Sequence, residues 1–491
     1  MNTGGIDFER WLHHLSDVTL AMMNQRTLSE LLSTILSEIR TLTRSDAGSI
    51  YRVLQDEDPP CIVFEESQNE SIELPDQSFK LPLDRSSLAG YSAVEGEILN
   101  IPDVYELDES LPYSFDSGFD ESVGYRTKSM LIVPLKNRDG IVRGVLQLIN
   151  RKKDPDSFVS ETPIEAYPES IKEVVMPFST QAAIAIERAE LDESIQSMVD
   201  SMIHTLVNAL DKRDEITTGH SRRIAGYSYY LANAISDLEA EPWTDVTFDD
   251  EQIRILLYSG LLHDIGKIAV PESVLNKKNR LSDDRMEAIR YRLAYMESTD
   301  QLSDQESVFD RLQSINESGY LEEEEQSFLY DLRHRSFKTP AGTREPIINE
   351  YEHKHLSIKQ GNLTSDERDS IEYHAKATFD ILQEVDWTSE LEDVPELAAS
   401  HHEKLDGSGY PWGKTEDDLS LIARILAVVD VYEALTARDR PYRSAMEPEE
   451  AREILYEEAE MGHLDQSVVD AFFEEEIHLS DVEDLPDFKL F

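Results

Sequence analysis

Residues 421–429 read Leu-Ile-Ala-Arg-Ile-Leu-Ala-Val-Val, and Asp430 follows them directly. A helix with apolar residues on nearly every face has to lie inside a folded body, so this chain must carry a carboxylate into its own interior. Burying an ionised Asp costs on the order of several kcal/mol unless a cation compensates it. Whatever the C-terminal half folds into, it has to bring cationic or metal-ligating groups up to that helix.

Histidines are the candidates for that task. Of the thirteen in the chain, His220, His263, His374, His401 and His402 stand in the local context of a metal centre. His204, a lone histidine, reads instead as a satisfied core residue. His263-Asp264 closes an apolar helix at 253–262 and delivers a second carboxylate to the end of a buried segment. Lys267 lies within reach of that pair if the last turn stays helical. Imidazoles mixed with carboxylates suit iron, manganese or zinc, and the lack of cysteine in the set argues against a structural zinc site. More than four candidate ligands imply at least two cations, with Asp264 the natural bridge because a carboxylate has two oxygens to share. Such a centre can clamp the attacking and leaving oxygens of a phosphodiester and lower the pKa of a bridging water.

The chain is long enough, at 491 residues, for two to four domains. Apolar residues recur at three and four over 11–42, the period of helices packed on one face. Strand-like runs follow at 47–54, 61–66, 79–83, 98–101, 129–135 and 141–150, and Asn137-Arg-Asp-Gly140 between the last two is a hairpin connection with Gly where positive φ is needed. Helix followed by a meander of strands reads as α+β. Over 170–213 the pattern is helical again, and Leu191, Ile195, Met198 and Met202 carry the a/d rhythm of a parallel coiled-coil seam, which predicts a homodimer. From about 201 onward the chain is helical nearly throughout. Residues 285–359 look inserted, and the near-repeat framing them, at 281–291 and 363–373, reads as two helix starts with Ser/Thr caps.

Two resemblances sharpen this reading. Asp46-Ala-Gly-Ser-Ile-Tyr-Arg52, Ser87-Leu-Ala-Gly-Tyr-Ser92, the stretch Gly124 to Leu135 and Gly144-Val-Leu-Gln-Leu-Ile-Asn150 resemble a GAF domain. That likeness implies a small-molecule sensor with a pocket between the sheet and the helices that cross it. The signature of cyclic-nucleotide-binding members is incomplete here: Asn150-Arg151 and Phe158 are present, the closing acidic pair is not. The ligand is therefore left unknown, and Cys61 gives no reason to propose a bilin. His263-Asp264-Ile-Gly-Lys267, His401-His402-Glu403-Lys-Leu-Asp406-Gly-Ser-Gly409-Tyr410-Pro411 and Asp430-Val-Tyr-Glu-Ala-Leu-Thr436 are similar to the motifs of the HD-GYP family, with Gly219-His220-Ser221 upstream and Tyr373-His374 between.

The HD-GYP likeness implies a metal-dependent phosphodiesterase that hydrolyses cyclic di-GMP, a bacterial second messenger, to linear 5′-pGpG and in some members on to GMP. Carried over by residue, His220, His263, Asp264 and Asp430 would hold one metal, and Asp264, His374, His401 and His402 a second. Two divalent ions, iron or manganese, are expected. Trinuclear members have a Glu where this chain has Ile216, so the centre reads as binuclear, with Asp214 orienting a ligand from outside it. Lys267 would contact a phosphate oxygen, sharing the catalytic role with Asp264. Arg440 and Arg443 match the substrate-binding segment, with one extra residue between Asp430 and Arg440, and would fork to phosphate or guanine; paired surface arginines are the plainer alternative. Tyr410 carries no expected catalytic role.

The expected fold class is multidomain: an α+β GAF sensor domain with an antiparallel sheet and flanking helices over 1–190, a long linker helix over 191–213, and an all-α HD-type phosphohydrolase domain over 214–491 with a helical insert at about 285–359. The alternatives are a phosphohydrolase for another cyclic dinucleotide or nucleotide, and a noncatalytic nucleotide-binding signalling scaffold.

A net charge of −54 excludes nonspecific binding to nucleic acid polymers and disfavours anionic membrane surfaces. It fits an ordinary acidic protein or one from a high-salt cytoplasm, where screening relieves self-repulsion. A dianionic dinucleotide approaching such a chain needs local positive potential, which the metals would supply. No apolar run reaches transmembrane length, the N-terminal residues lack the pattern of a secretory signal, and one cysteine fits a reducing compartment, so a cytoplasmic location is expected.

Overall fold

The computed structural model describes residues 12–18, 20, 27–72, 80–213, 219–302, 304–437 and 445–482. The chain divides into two compact units, Met1–Met198 and Val199–Phe491.

In the first unit, helix α1 (Leu28–Thr43) starts at Thr27, whose hydroxyl accepts from the Glu30 amide, and ends at Arg44 in the left-handed region (φ 61°). The chain thereby turns straight into the sheet, ordered β3-β2-β1-β6-β5-β4 with β7 on β6. These strands are β1 (Ser45–Leu54), β2 (Cys61–Asn69), β3 (Lys80–Pro82), β4 (Leu99–Ile101), β5 (Met130–Lys136), β6 (Val142–Lys152) and β7 (Ile164–Glu165), every pair antiparallel. Strand periodicity gives the sheet two apolar faces. Ile50, Leu146 and Leu148 pack with α1 and the helix that begins at Ile171, whereas Tyr51, Val53 and Val145 pack with α2 (Leu88–Glu95). The β5–β6 hairpin is as expected, with Gly140 at φ 80° and the Asn137 side chain accepting from the Asp139 and Ile141 amides.

Helix α3 (Ile171–Arg213) runs for 43 residues, and the division between the two units falls within it. The seam residues Leu191, Ile195, Met198 and Met202 are exposed, by 56–59% of their surface. Further along the same helix, Ile203 and Val207 are buried in the core of the second unit. His204 lies half-buried beside them and is no core residue.

The second unit is built around α8 (Leu421–Thr436), whose Ile425, Leu426, Val428 and Val429 are almost fully enclosed. Against it pack α4 (His220–Asp237) through Ile224 and Leu231, α5 (Asp250–Leu262) through Leu256 and Leu261, and α10 (Gln466–Glu474) through Val468 and Phe472. The helix that sequence alone places in the interior is the centre of this core. Two more helices carry site residues: α6 (Ser365–Leu382) and α7 (Val394–Ala399). Helix α9 (Pro448–Glu460) covers α8 from outside. Of the two expected helix starts, Thr364 closes a full capping box with Glu367, whereas Ser282 stands at a helix N-terminus without capping it through its side chain. No helix among the described residues is long and apolar enough to cross a membrane.

The insert differs from expectation in two ways. It contains a two-stranded hairpin, Ser336–Lys338 with Arg344–Pro346, as well as four helices, because Thr-Pro-Ala-Gly342 with φ 85° reverses the chain. Its body also begins earlier than residue 285. Leu281 belongs to a separate core with Ile289, Leu293, Leu312, Ile315 and Ile348, and the buried Arg280 donates to the carbonyls of Ile315, Ser318 and Ile358. The side chain of Asn362 donates to the Lys277 carbonyl at 2.6 Å, which joins the two ends of the excursion.

Candidate metal centre

Three of the five site histidines are set by local backbone. His263 ends α5 and donates Nδ1–H to the Gly260 carbonyl (2.7 Å); His374, on α6, donates to Ile371 (2.6 Å); His401, in the turn after α7, donates to Ala398 (2.6 Å). The same device occurs three times: a carbonyl three residues upstream takes the Nδ1 proton, which fixes the tautomer and leaves Nε2 as a lone pair pointing outward. Those lone pairs converge. Nε2 of His374 is 3.3 Å from Nε2 of His401, and Nε2 of His263 is 3.3 Å from Nε2 of His220. His220 opens α4 after Gly219 at φ 78°, and its Nδ1 is bonded to Glu433.

Two carboxylates enter the same space. Asp264 places Oδ2 3.3 Å from His263 Nε2 and 3.7 Å from His220 Nε2, and Oδ1 3.4 Å from His374 Nε2. Asp430 places Oδ1 3.3 Å from His220 and Oδ2 3.7 Å from His402 Nδ1. All of these residues are buried except His402, which is half-exposed at the mouth. His374, His401 and His402 form one group able to hold a metal ion, and His220, His263 and Asp264 another.

Two imidazoles both tied down at Nδ1 have no hydrogen to share between facing Nε2 atoms, so their approach at 3.3 Å is repulsive until a cation lies between them. The donor set, imidazole nitrogen plus carboxylate oxygen without sulfur, fits borderline divalent ions. The electrostatics agree. Burial pushes the His401 and His374 imidazoles down and holds His402 at about 4, which favours the neutral ring in all three. Burial alone would raise Asp264, but the Lys267 charge and the imidazoles hold it well below the usual carboxylate range. Asp430 is likewise held low against its burial, chiefly by its hydrogen bond to His220. Burial opposes a charged His220, yet Asp430 and Glu433 outweigh it and raise the ring to about 9. This is the balance expected where carboxylates await positive charge.

Lys267 lies in a tight turn, Ile265–Ala269, with Nζ 2.7 Å from Asp264 Oδ2. The turn is of the 3₁₀ type, not the continued helix on which its proximity was predicted. Gly266 explains how it reaches the site: a Cβ there would stand 1.9 Å from the His374 carbonyl, so only glycine lets the His263-Asp264 turn press onto α6. Thr378 completes that contact, accepting from the Gly266 amide and donating to the His263 carbonyl (2.7 Å). Gly409 does the same for the following loop, since its Cβ would meet the Lys404 nitrogen at 2.4 Å.

The structure brings together His220, His263, Asp264, Lys267, His374, His401, His402 and Asp430. Arg440, Arg443, Asp214 and Ile216 lie outside the described residues. Three site residues had no role from sequence. Glu433 is buried between His220 and Arg223, with Oε1 taking Arg223 Nε and Nη2 at 2.8 and 2.6 Å. Its signal was a second acid three positions after Asp430 in an apolar helix. Buried Glu403 accepts from the Trp412 and Lys414 amides and holds the loop. Tyr410, given no role from sequence, lays its ring 4.8 Å from that of His402 and thereby walls the mouth of the site.

Comparison with known proteins divides the chain in the same order. The sequence matches the GAF domain family over residues 27–186 and the HD domain family over 352–468, the latter span containing His374, His401, His402 and Asp430. The chain thus carries a GAF domain followed by an HD domain. A Vibrio cholerae protein named a probable cyclic di-GMP phosphodiesterase is 39% identical over 132 residues, 26% of this chain and 30% of its own. A cyclic di-GMP phosphodiesterase of Pseudomonas aeruginosa is 36% identical over 128 residues, 26% of this chain and 28% of its own. A Vibrio cholerae protein named 3′3′-cGAMP-specific phosphodiesterase 1 is 26% identical over 270 residues, 55% of this chain and 40% of its own. The chain spans less than half the length of each of these relatives.

Proposed function

We propose that this chain is a metal-dependent phosphodiesterase that hydrolyses cyclic di-GMP to 5′-pGpG, GMP or both, under control of its GAF domain. The observation that carries the reading is the convergence of five imidazoles, three of them with Nδ1 tied to an upstream carbonyl, on two buried carboxylates. His220, His263, Asp264 and Asp430 would hold one divalent ion and Asp264, His374, His401 and His402 another, iron or manganese in each. Such ions activate water and neutralise charge developing on a phosphodiester.

The chain's own groups do the rest. Lys267, whose ammonium rests on Asp264, turns to a phosphate oxygen and stabilises the charge that grows there. Asp264, whose Oδ1 faces His374 and whose Oδ2 faces His263 and His220, would be shared between the two ions. His402 and Tyr410 form the entrance through which a dianion reaches the buried centre, and Arg440 and Arg443 fork to its phosphate or guanine. The exposed seam on α3 pairs with a second copy to make a parallel homodimer.

A related cyclic dinucleotide is the second reading, favoured by the relatives named for 3′3′-cGAMP, because the metal centre dictates phosphate chemistry and not the base. Protein purified without oxygen, loaded with iron or manganese and given each dinucleotide in turn decides between them, with products separated by chromatography. Fully metallated protein that cleaves neither would refute the proposal.

A further inference from the structure

The turn that carries Lys267 is held from two sides. On one side Thr378 of α6 accepts from the Gly266 amide at 3.0 Å. On the other, Arg213, the last residue of α3, spreads its guanidinium over two carbonyls: Nη1 donates to Lys267 at 3.0 Å and Nη2 to Val270 at 2.8 Å. A five-residue 3₁₀ turn is weak on its own, and its C-terminal carbonyls have few intrinsic partners. The Lys267 carbonyl takes the Val270 amide at 3.1 Å, and Arg213 supplies a second donor to it.

The helix behind Arg213 is fixed to the same body. Ile203 and Val207 are buried in its core, and Tyr258 donates to Asp200 at 2.6 Å. The histidines are held differently: His263, His374 and His401 take their orientation from carbonyls of their own segments. A slide or rotation of α3 within this unit is therefore delivered to the backbone of Lys267 while those rings keep their local anchors.

We infer that Arg213 is a positioning residue for Lys267, and that it is the point at which movement of α3 enters the site, acting on the phosphate-facing lysine and not on metal binding. The inference rests on the role proposed for Lys267, and it adds the means by which that role is regulated. Fork geometry matters: a lysine at 213 can serve one carbonyl, but only a guanidinium spans both.

The test uses the full-length, metal-loaded protein with Arg213→Met and Arg213→Lys. Two quantities are read: steady-state cleavage of cyclic di-GMP, and the rate at which Lys267 is acylated by a water-soluble N-hydroxysuccinimide ester, followed by mass spectrometry. Arg213→Met is expected to lower kcat about tenfold or more, as a misplaced catalytic group does, with KM and metal content unchanged. Lys267 should be acylated severalfold faster, and Arg213→Lys should fall between. Lys277, paired with Glu367 at 2.7 Å, is the internal control and should keep its rate. Unchanged Lys267 acylation in Arg213→Met overturns the inference, and so does an equal rise at Lys277, which signals general loosening. If the wild-type protein cleaves no cyclic dinucleotide, the proposed function fails while the acylation result still decides on Arg213.

Discussion

Glu433 and His220 meet across the interior of the second unit, the carboxylate on the Nδ1 side of the ring and Asp430 on the Nε2 side. Arg223 occupies the remaining oxygen of Glu433, so the acid is buried with both of its oxygens engaged. Glu433→Gln removes the charge that orients His220 and raises its basicity. Metal affinity is expected to fall about 10- to 100-fold, measured by competition with a chelator. An unaltered affinity would show that the ring is oriented by packing alone.

Asp264→Ala and His263→Ala should each abolish hydrolysis and lower metal content, because water cannot replace a carboxylate that reaches two positions or the imidazole beside it. Metal analysis and turnover on the same samples provide the check. Normal turnover by metal-replete Asp264→Ala would exclude a shared bridging ligand.

Gly266→Ala tests the close approach of the His263-Asp264 turn to α6. A methyl group 1.9 Å from the His374 carbonyl forces the backbones apart, and overpacking of this kind costs about 1–3 kcal/mol. Denaturant unfolding should register that loss together with reduced metal content. Gly319→Ala, where nothing lies within 4 Å, is the matched control and should be close to neutral.

The insert should be separable if it is cut where its own core ends. Excision of 279–361 with a short Gly-Ser bridge between Lys278 and Asn362 removes Arg280 and Leu281 with the body they belong to. Soluble protein with unchanged metal content and basal hydrolysis is expected. Excision of 285–359 instead strands Arg280 without the Ile315, Ser318 and Ile358 carbonyls, and lower solubility is expected. Equal behaviour of the two deletions would contradict the boundary.

Ile195→Glu combined with Met202→Glu places charge in the exposed seam of α3. The proposed homodimer should dissociate, as read by sedimentation equilibrium, with the second unit still folded. A wild-type protein already monomeric at micromolar concentration, or a variant that stays dimeric, would remove the seam from the interface.

The buried carboxylates at the centre of the candidate site were legible because burial makes them conspicuous: Asp430 in an apolar helix and Asp264 at the end of another are costly unless compensated. The sheet was legible from strand-like runs broken by turn residues, and the β5–β6 hairpin from Asn137 and Gly140. What stayed hidden depends on tertiary approach. Arg280 reads as one more surface cation on an acidic chain, and only the fold reveals three carbonyls around it. Arg213 likewise looks like an ordinary basic helix end until its two acceptors, far off in sequence, are seen. Whether the turn after His263 continues as helix was left open, because spacing alone cannot tell an α turn from a 3₁₀ turn. Neither Glu403 nor Tyr410 has a local pattern that announces its neighbours.

The groups that gather at the centre come from distant parts of the chain, His220 and Glu433 lying 213 positions apart. This separation orders events during synthesis on the ribosome. The N-terminal unit can fold while the rest is still being translated, but the pocket does not exist until Asp430 has emerged and α8 has docked. A cation bound there would be loaded late, and any chain cut short before α8 carries most of the candidate site residues with no enclosure to hold them in register.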